Sequence, residues 1–304
     1  MISGSKFQVA FDKKSGHITS WIIDGEQLLA DHSGPVFNVW RAAIDNDVSP
    51  WGYPQAYRLW REAGLHDLKS FLINMTTRIG KDGTVNVTAS HHVKNSSNTP
   101  LFETTAYYRI LNNGTVLIGQ DVKMLYDFKG LSLPRIGLTM TLNSGFDQVE
   151  WYGRGPHENY CDRKTGARIS RYKSTVEELY VPYIHCQANG NRTDTRWMKI
   201  LNNHGVGLKV SCLNPKQQKA YNPFPAGYKY TNPQGGVFDF TALHFSEDNL
   251  DKASVSIDLE KQECTFLSLD ILHAGVGNTP NKRLRKYDVP ARKIEYVMIL
   301  KPIF

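Results

Sequence analysis

A chain of 304 residues with 40% hydrophobic and 21% charged content carries enough apolar material for a sizeable core, which excludes a disordered tail or a fibrous repeat. Its 36 lysines and arginines outnumber 29 acids, giving a net charge of +7, but the bases are dispersed and only Lys282-Arg283-Leu284-Arg285-Lys286 is dense, so nucleic-acid binding is not expected. No stretch reaches the roughly 18 consecutive apolar residues of a membrane span, and Met1-Ile2-Ser3-Gly4-Ser5-Lys6 opens no apolar leader, so neither a membrane segment nor a signal peptide is expected and the compartment is unknown.

Alternation of apolar and polar side chains begins at once. Phe7, Val9 and Phe11 face one way, Lys13-Lys14-Ser15-Gly16 turns the chain, and Asp24-Gly25 marks a second turn. Period-two or β-rich runs follow at Phe71 to Ile79, Thr84 to Val93, Phe102 to Ile110, Thr115 to Met124 and Ile136 to Leu142, punctuated by Lys81-Asp82-Gly83 and Asn112-Asn113-Gly114. The second half repeats the pattern at Val206 to Cys212, Val255 to Leu259, Thr265 to Leu272 and Ile294 to Leu300. Helical signals are few: Gln55 to Gly64, a capping box in Ser174-Thr175-Val176-Glu177-Glu178, and Ser246-Glu247-Asp248-Asn249-Leu250. The expectation is an all-β antiparallel sandwich, with no linker or fixed-period repeat to divide the chain, so residues 1–304 are expected to form one domain. The four cysteines are widely spaced singletons, which predicts reduced thiols and no zinc site.

The chemistry-rich stretch is Trp151-Tyr152-Gly153-Arg154-Gly155-Pro156-His157-Glu158-Asn159-Tyr160-Cys161-Asp162-Arg163. Gly153, Gly155 and Pro156 predict an irregular loop, and two guanidiniums beside carboxylates and an amide supply the planar forks used in recognition. Two arginine forks bring up to ten donors, so Arg154, Glu158, Asn159, Asp162 and Arg163 are expected to share one hydrogen-bonded unit with Asn189 and Arg192. Asp45-Asn46-Asp47 gathers oxygen ligands on consecutive residues, but no spaced ligands complete a calcium loop. Capping of nearby amides or pairing with Arg41 and Arg154 is the simpler role, with Trp51 available as a stacking face. His185, His273 and Glu158 could also assemble as a base and its partner from distant strands.

These segments carry a resemblance. The Gly153 to Arg163 run resembles the signature of the C-terminal domain (small chain, domain 5) of glycoside hydrolase family 2 beta-galactosidases. Tyr180-Val181-Pro182-Tyr183 with Gln187-Ala188-Asn189-Gly190-Asn191-Arg192-Thr193-Asp194-Thr195-Arg196-Trp197 resembles a second family segment, and Trp40-Arg41-Ala42-Ala43-Ile44-Asp45-Asn46-Asp47 a third. The resemblance implies a large antiparallel β-supersandwich of galactose mutarotase-like fold. It implies a parent that hydrolyses terminal non-reducing β-D-galactosides with retention, this chain forming a wall of the cleft and contacting the central barrel and sandwich domains. The catalytic glutamates would lie in that absent barrel, and any Mg and Na ions in other domains, so no catalytic residue, metal or cofactor is expected here.

Candidates for the cleft or its interface are Arg41, Asp45, Asn46, Asp47, Trp51, Arg154, His157, Glu158, Asn159, Tyr160, Asp162, Arg163, Asn189, Arg192 and Arg196. Departures from the family pattern are Ala43, Cys186, Ala188 and His157, and the run Gly275 to Lys282, which lacks the aromatic residue found there in known members. Two alternatives stand beside this reading: a separate small subunit of a heteromeric enzyme, and a free-standing sugar-binding module or aldose epimerase.

Overall fold

The first hairpins show how the alternating pattern becomes sheet. β1 (Ile2–Ser3), β2 (Phe7–Phe11), β3 (Ile18–Ile23) and β4 (Glu26–Gln27) form a four-stranded antiparallel sheet in chain order. Asp24 and Gly25 both take positive φ, 48° and 86°, in the two-residue turn whose twist matches the flanking strands. The computed structural model describes residues 1–30, 32–48, 56–214, 233–277 and 283–304.

After β5 (Val36–Asn38) come two short helices, α1 (Asp45–Val48) and α2 (Ala56–Glu62). Four long strands then pair as hairpins: β6 (Lys69–Ile79), β7 (Val85–Lys94), β8 (Pro100–Ile110) and β9 (Val116–Met124). They are followed by β10 (Arg135–Leu142), β11 (Gln148–Gly155), β12 (Arg168–Thr175), α3 (Val176–Leu179), β13 (Arg192–Thr195), β14 (Trp197–Leu201), β15 (Gly207–Cys212), β16 (Phe238–Leu243), α4 (Glu247–Lys252), β17 (Thr265–His273) and β18 (Ile294–Ile303). A five-stranded sheet runs β13-β16-β17-β10-β5 and a nine-stranded sheet runs β12-β11-β14-β15-β18-β9-β8-β7-β6, with every pairing antiparallel.

The two smaller sheets join into one layer, because Ala30 N donates to Thr141 O and Asn143 N to Leu28 O beside the Leu29–Leu142 bridge. That layer covers the inner face of the nine-stranded sheet. Aromatic contacts cross the gap at three places: Phe11 on Tyr108, Phe37 on Phe102 and Trp151 on Phe240, with centroids 4.9, 5.3 and 5.8 Å apart. Side chains from all three sheets share one apolar core, including Trp21, Leu138, Phe240, Met298 and Ile118. The fold is all-β and antiparallel, as expected.

Thr175 caps α3, its hydroxyl accepting from Glu178 N while Glu178 reaches back to Thr175 N, and Ser246 caps α4. α2 matches the helix expected after Gln55, a residue that lies outside the described ones. Two expectations fail. Val255 to Leu259 is not a strand: a 3-10 turn occupies Ser256–Asp258, and Val255 and Ile257 are both exposed, so the alternation there has no face to bury. Gly153 and Gly155 do not break the strand either, since β11 pairs with β12 through both of them. At Gly153 a Cβ would come within 2.9 Å of Thr195 Cα, so glycine there lets β13 cross close to β11.

Candidate functional site

Beyond Gly155 the chain leaves the ladder, and the segment Pro156 to Arg163 is held by the segment Asn189 to Thr193. Asn159 is fully buried and acts as a surrogate ladder partner. Its N–H donates to Asn191 O, its side-chain oxygen accepts from Thr193 N, and its carbonyl accepts from the Asn191 amide, all at 2.9 Å. Asn191 and Thr193 in turn donate to the buried carboxyl of Asp239 on β16, at 2.9 and 2.8 Å. Burial raises the Asp239 carboxyl to about 7, against the opposing hydrogen bonds from Asn191 and Thr193.

Glu158 is 4% exposed, and both of its oxygens are engaged. It accepts from Arg163 Nη1 and Tyr160 Oη at 3.3 Å, from Gly190 N at 2.9 Å, and from the Tyr183 hydroxyl. Gly190 sits at φ 77°, a left-handed conformation that turns its N–H onto this carboxylate. Burial, then the neighbouring carboxylate, raises the Tyr160 and Tyr183 phenols, so both remain donors. Asn189 shapes the same turn by accepting from Val181 N and donating to Gln187 O.

The third segment arrives through α1. Asp47 is buried, accepting from Arg41 Nη1 at 2.7 Å and from Ile44 N at 3.1 Å. Asp45 reaches outward to His185 Nδ1 at 2.8 Å and to the Gln187 amide at 3.3 Å. Asn46 donates to Val276 O, and Asp162 accepts from Val276 N and Gly277 N, so both fasten the late glycine-rich loop. Underneath, Arg135 joins Glu247 at 2.8 Å and Asp270 at 3.5 Å, and Glu247 accepts from Ala42 N.

These parts enclose a cleft of about 360 Å³, with Asp45, Asn46, Glu158, Tyr160, Arg163 and Tyr183 in its lining. Of the expected site residues, Asp45, Asn46, Glu158, Tyr160 and Arg163 face this cleft. Arg41, Asp47, Asn159, Asn189 and Arg192 are buried and not among its lining residues; Asp162 braces its rim, and His157 is exposed. Trp51 lies outside the described residues, as do Asn278 to Lys282 of the late loop.

The single hydrogen-bonded unit expected around Arg154 does not form: Arg154 and Asp162 each bond apart from Glu158. Arg154 pairs with Asp194 and donates to the carbonyls of Lys164 and Ala167, apart from Glu158. Among the described residues Arg192 pairs with no carboxylate: it donates to Gly190 O and lies over the Trp151 ring at 5.5 Å, and burial lowers it to about 10. Arg196 sits over Tyr152 on the outer face of the nine-stranded sheet. His185, His273 and Glu158 do not assemble. His273 is buried against Tyr160 and bonded to Ala274 O, while His185 pairs with Asp45 at the surface.

Asp239 and Asp270 were not expected in the site. Their signal was an acid inside an otherwise apolar strand, in Phe238 to Leu243 and Thr265 to His273. With the Glu158 oxygens occupied, the cleft offers Arg163, Gln187 and Asn46 as hydrogen-bonding groups and Asp45 as an acceptor, an inventory suited to hydroxyl-rich ligands. Among the described residues no cluster of three or more His, Cys, Asp or Glu is placed to hold a metal ion, and the cysteines are free. No described helix is long and apolar enough to cross a membrane.

Residues 3–300 match the family described as beta galactosidase small chain. The chain belongs to this family. Among curated relatives, the beta-galactosidase of Priestia megaterium is 34% identical over 225 residues, 73% of this chain and 20% of that protein. The beta-galactosidase of Vibrio cholerae is 30% identical over 285 residues, 91% of this chain and 24% of that protein, and that of Psychromonas ingrahamii is 31% identical with 90% and 24% covered. The chain thus spans less than a quarter of the length of these relatives. Among solved structures, a putative aldose 1-epimerase of Escherichia coli superposes with a TM-score of 0.47 at 10% identity, covering 100% of this chain and 98% of that one.

Proposed function

We propose that this chain, as a single domain over residues 1–304, is the small-chain part of a beta-galactosidase that hydrolyses terminal β-D-galactosides with retention. In this reading the cleft around Arg163, Asp45 and Asn46 forms one wall of the substrate site. The observation that carries it is the convergence of all three family-like segments on one cleft: Ile44 to Asn46, Glu158 to Arg163, and Tyr183 to Ala188.

Retaining hydrolysis needs two carboxyl groups about 5–5.5 Å apart, one free to donate a proton and one free to attack. Glu158 is committed to four donors within the fold, so it braces the cleft, and both catalytic carboxyls belong to the remaining barrel-containing part. Arg163, 57% exposed at its side chain and anchored through one nitrogen to Glu158, is positioned to donate to substrate hydroxyls.

Hydrolysis of a chromogenic galactoside tests the reading. The chain alone should give no turnover, and the parent polypeptide should give it, with Arg163→Ala raising KM more than it lowers kcat. Turnover by the chain alone at the parent's rate overturns the assignment of both carboxyls to the other part. The family description as a small chain also favours a version in which this chain is a separate subunit beside a large catalytic one. A coding sequence that continues unbroken from this chain into a barrel excludes that version.

A further inference from the structure

The register of the nine-stranded sheet aligns its outward side chains into rows. One row reads Lys173 on β12, Glu150 on β11, Lys199 on β14, Lys209 on β15 and Lys301 on β18, each residue directly opposite the next. Strands lie about 4.8 Å apart, and like charges directly opposite each other destabilise a sheet. Glu150 pairs with Lys199 at 2.8 Å, while Lys173, Lys209 and Lys301 have no acidic group within 4 Å among the described residues. Burial lowers the Lys209 pKa, with Lys199 and Lys301 adding to the shift and Glu150 opposing it. Among the described residues Glu150 is the one acid in this row, against four lysines.

The adjacent row is Arg171, Tyr152, Trp197 and Ser211. Tyr152 and Trp197 form an aromatic pair with centroids 6.4 Å apart, on the face turned away from the core. Lys209, Lys199 and Arg171 stand 4.9, 5.4 and 5.9 Å from the Trp197 ring, and Arg196 5.7 Å from Tyr152. Tryptophan, tyrosine and arginine at the centre of a polar surface are the residues that dominate protein interface energetics. The cations over these rings leave little open face for a base to stack on, which favours carboxylates of a protein over a nucleic acid. The chain's net charge of +7 complements an acidic counterpart, and relatives are more than four times as long as the matched region, so a large partner surface exists in such proteins.

We propose that the Lys173–Lys199–Lys209–Lys301 row, with the Tyr152–Trp197 pair beside it, docks an acidic face of the larger remaining part of the galactosidase. This rests on the reading that the chain is one piece of that enzyme.

Lysine acylation of the nuclease-treated parent enzyme, followed by peptide mass spectrometry, tests it. Lys173 and Lys301 are exposed in this chain, as are the reference residues Lys13, Lys81 and Lys129. In the assembled enzyme Lys173 and Lys301 should react at least tenfold more slowly than the references, and Lys173→Glu combined with Lys301→Glu should restore reactivity at Lys199 and Lys209. Reaction at the reference rate overturns the proposal, as does protection that appears only when DNA is added. Galactoside turnover is read separately. Protected lysines in an enzyme without turnover would retain the docking surface and discard the hydrolase reading, whereas full turnover with reactive lysines discards the docking surface alone.

Discussion

At the β6 edge of the nine-stranded sheet the backbone is held on one side by its ladder to β7, and most side chains of β6 face solvent. At the other end, beyond β11, the chain leaves the ladder and side chains bond to the neighbouring segments in its place: Asn159 to Asn191 and Thr193, Glu158 to Tyr160, Arg163, Tyr183 and Gly190, Asp162 to the late loop. The ladder is redundant, because losing one side chain leaves the backbone bonds in place. The loop pair is not, because each side chain there replaces a backbone bond. Sensitivity to substitution should therefore be steep at one end of the sheet and flat at the other.

Glu158→Ala should show the largest effect. It leaves the buried Tyr160 phenol, the half-buried Tyr183 phenol and the Gly190 N–H without an acceptor, for a loss of roughly 3–5 kcal/mol in urea unfolding. Glu158→Gln, which keeps an oxygen in place, should lose less than half of that. Equal losses in the two variants would mean that shape rather than hydrogen bonding holds the loop.

Asp239→Asn should change the pH dependence of stability. The folded carboxyl is raised to about 7, so the fold holds the proton longer than the unfolded chain does. Its contribution is full below the ordinary carboxyl range near pH 4 and is lost as pH rises through about 7. The stability of the wild type relative to Asp239→Asn should therefore fall by a few kcal/mol between about pH 4 and 7. Asp270, also raised to about 7 by burial, lies opposite Asp239 in the ladder and adds to the rise of Asp239. Parallel pH profiles for wild type and variant would remove Asp239 from the site's support.

What the sequence made legible follows the same division. Period-two alternation and turn residues are local, and they located β6 to β10, β15, β17 and β18 and the capped start of α3. The partner of a charge is not local. Arg154 was expected to join Glu158, which is near in sequence, but Asp194, 40 residues away, takes its guanidinium because β13 crosses β11 at Gly153. The Val255 to Leu259 alternation misled for the converse reason, since a pattern without a sheet to lie on makes no strand. The three motif segments were visible as chemistry, but their meeting at one cleft depends on long-range pairing that no window of sequence contains.

Arg154→Ala should cost about 1–2 kcal/mol, less than Glu158→Ala, because the guanidinium is 22% exposed and Asp194 keeps Lys164 Nζ at 3.0 Å. Thermal unfolding of the two variants side by side checks the order. A greater loss for Arg154→Ala would place the critical support at the β11–β13 crossing instead of at Glu158.

The smallest effect belongs to the β6 edge. The register with β7 slips between Leu72 and Asn74, which leaves Ile73 unopposed at a bulge, and its side chain is 52% exposed. A bulge on an edge strand deters pairing with another chain, but an exposed isoleucine there, near Phe71 at 47% and Ile79 at 78%, works against that protection. Ile73→Lys removes little burial and breaks no ladder bond, so the urea midpoint should stay within about 0.5 kcal/mol of wild type. Light scattering on heating should meanwhile appear later, since a lysine at the edge opposes edge-to-edge association. A loss above about 1 kcal/mol would mean that Ile73 is packed, and the contrast between the two ends of the sheet would then fail at its tolerant end.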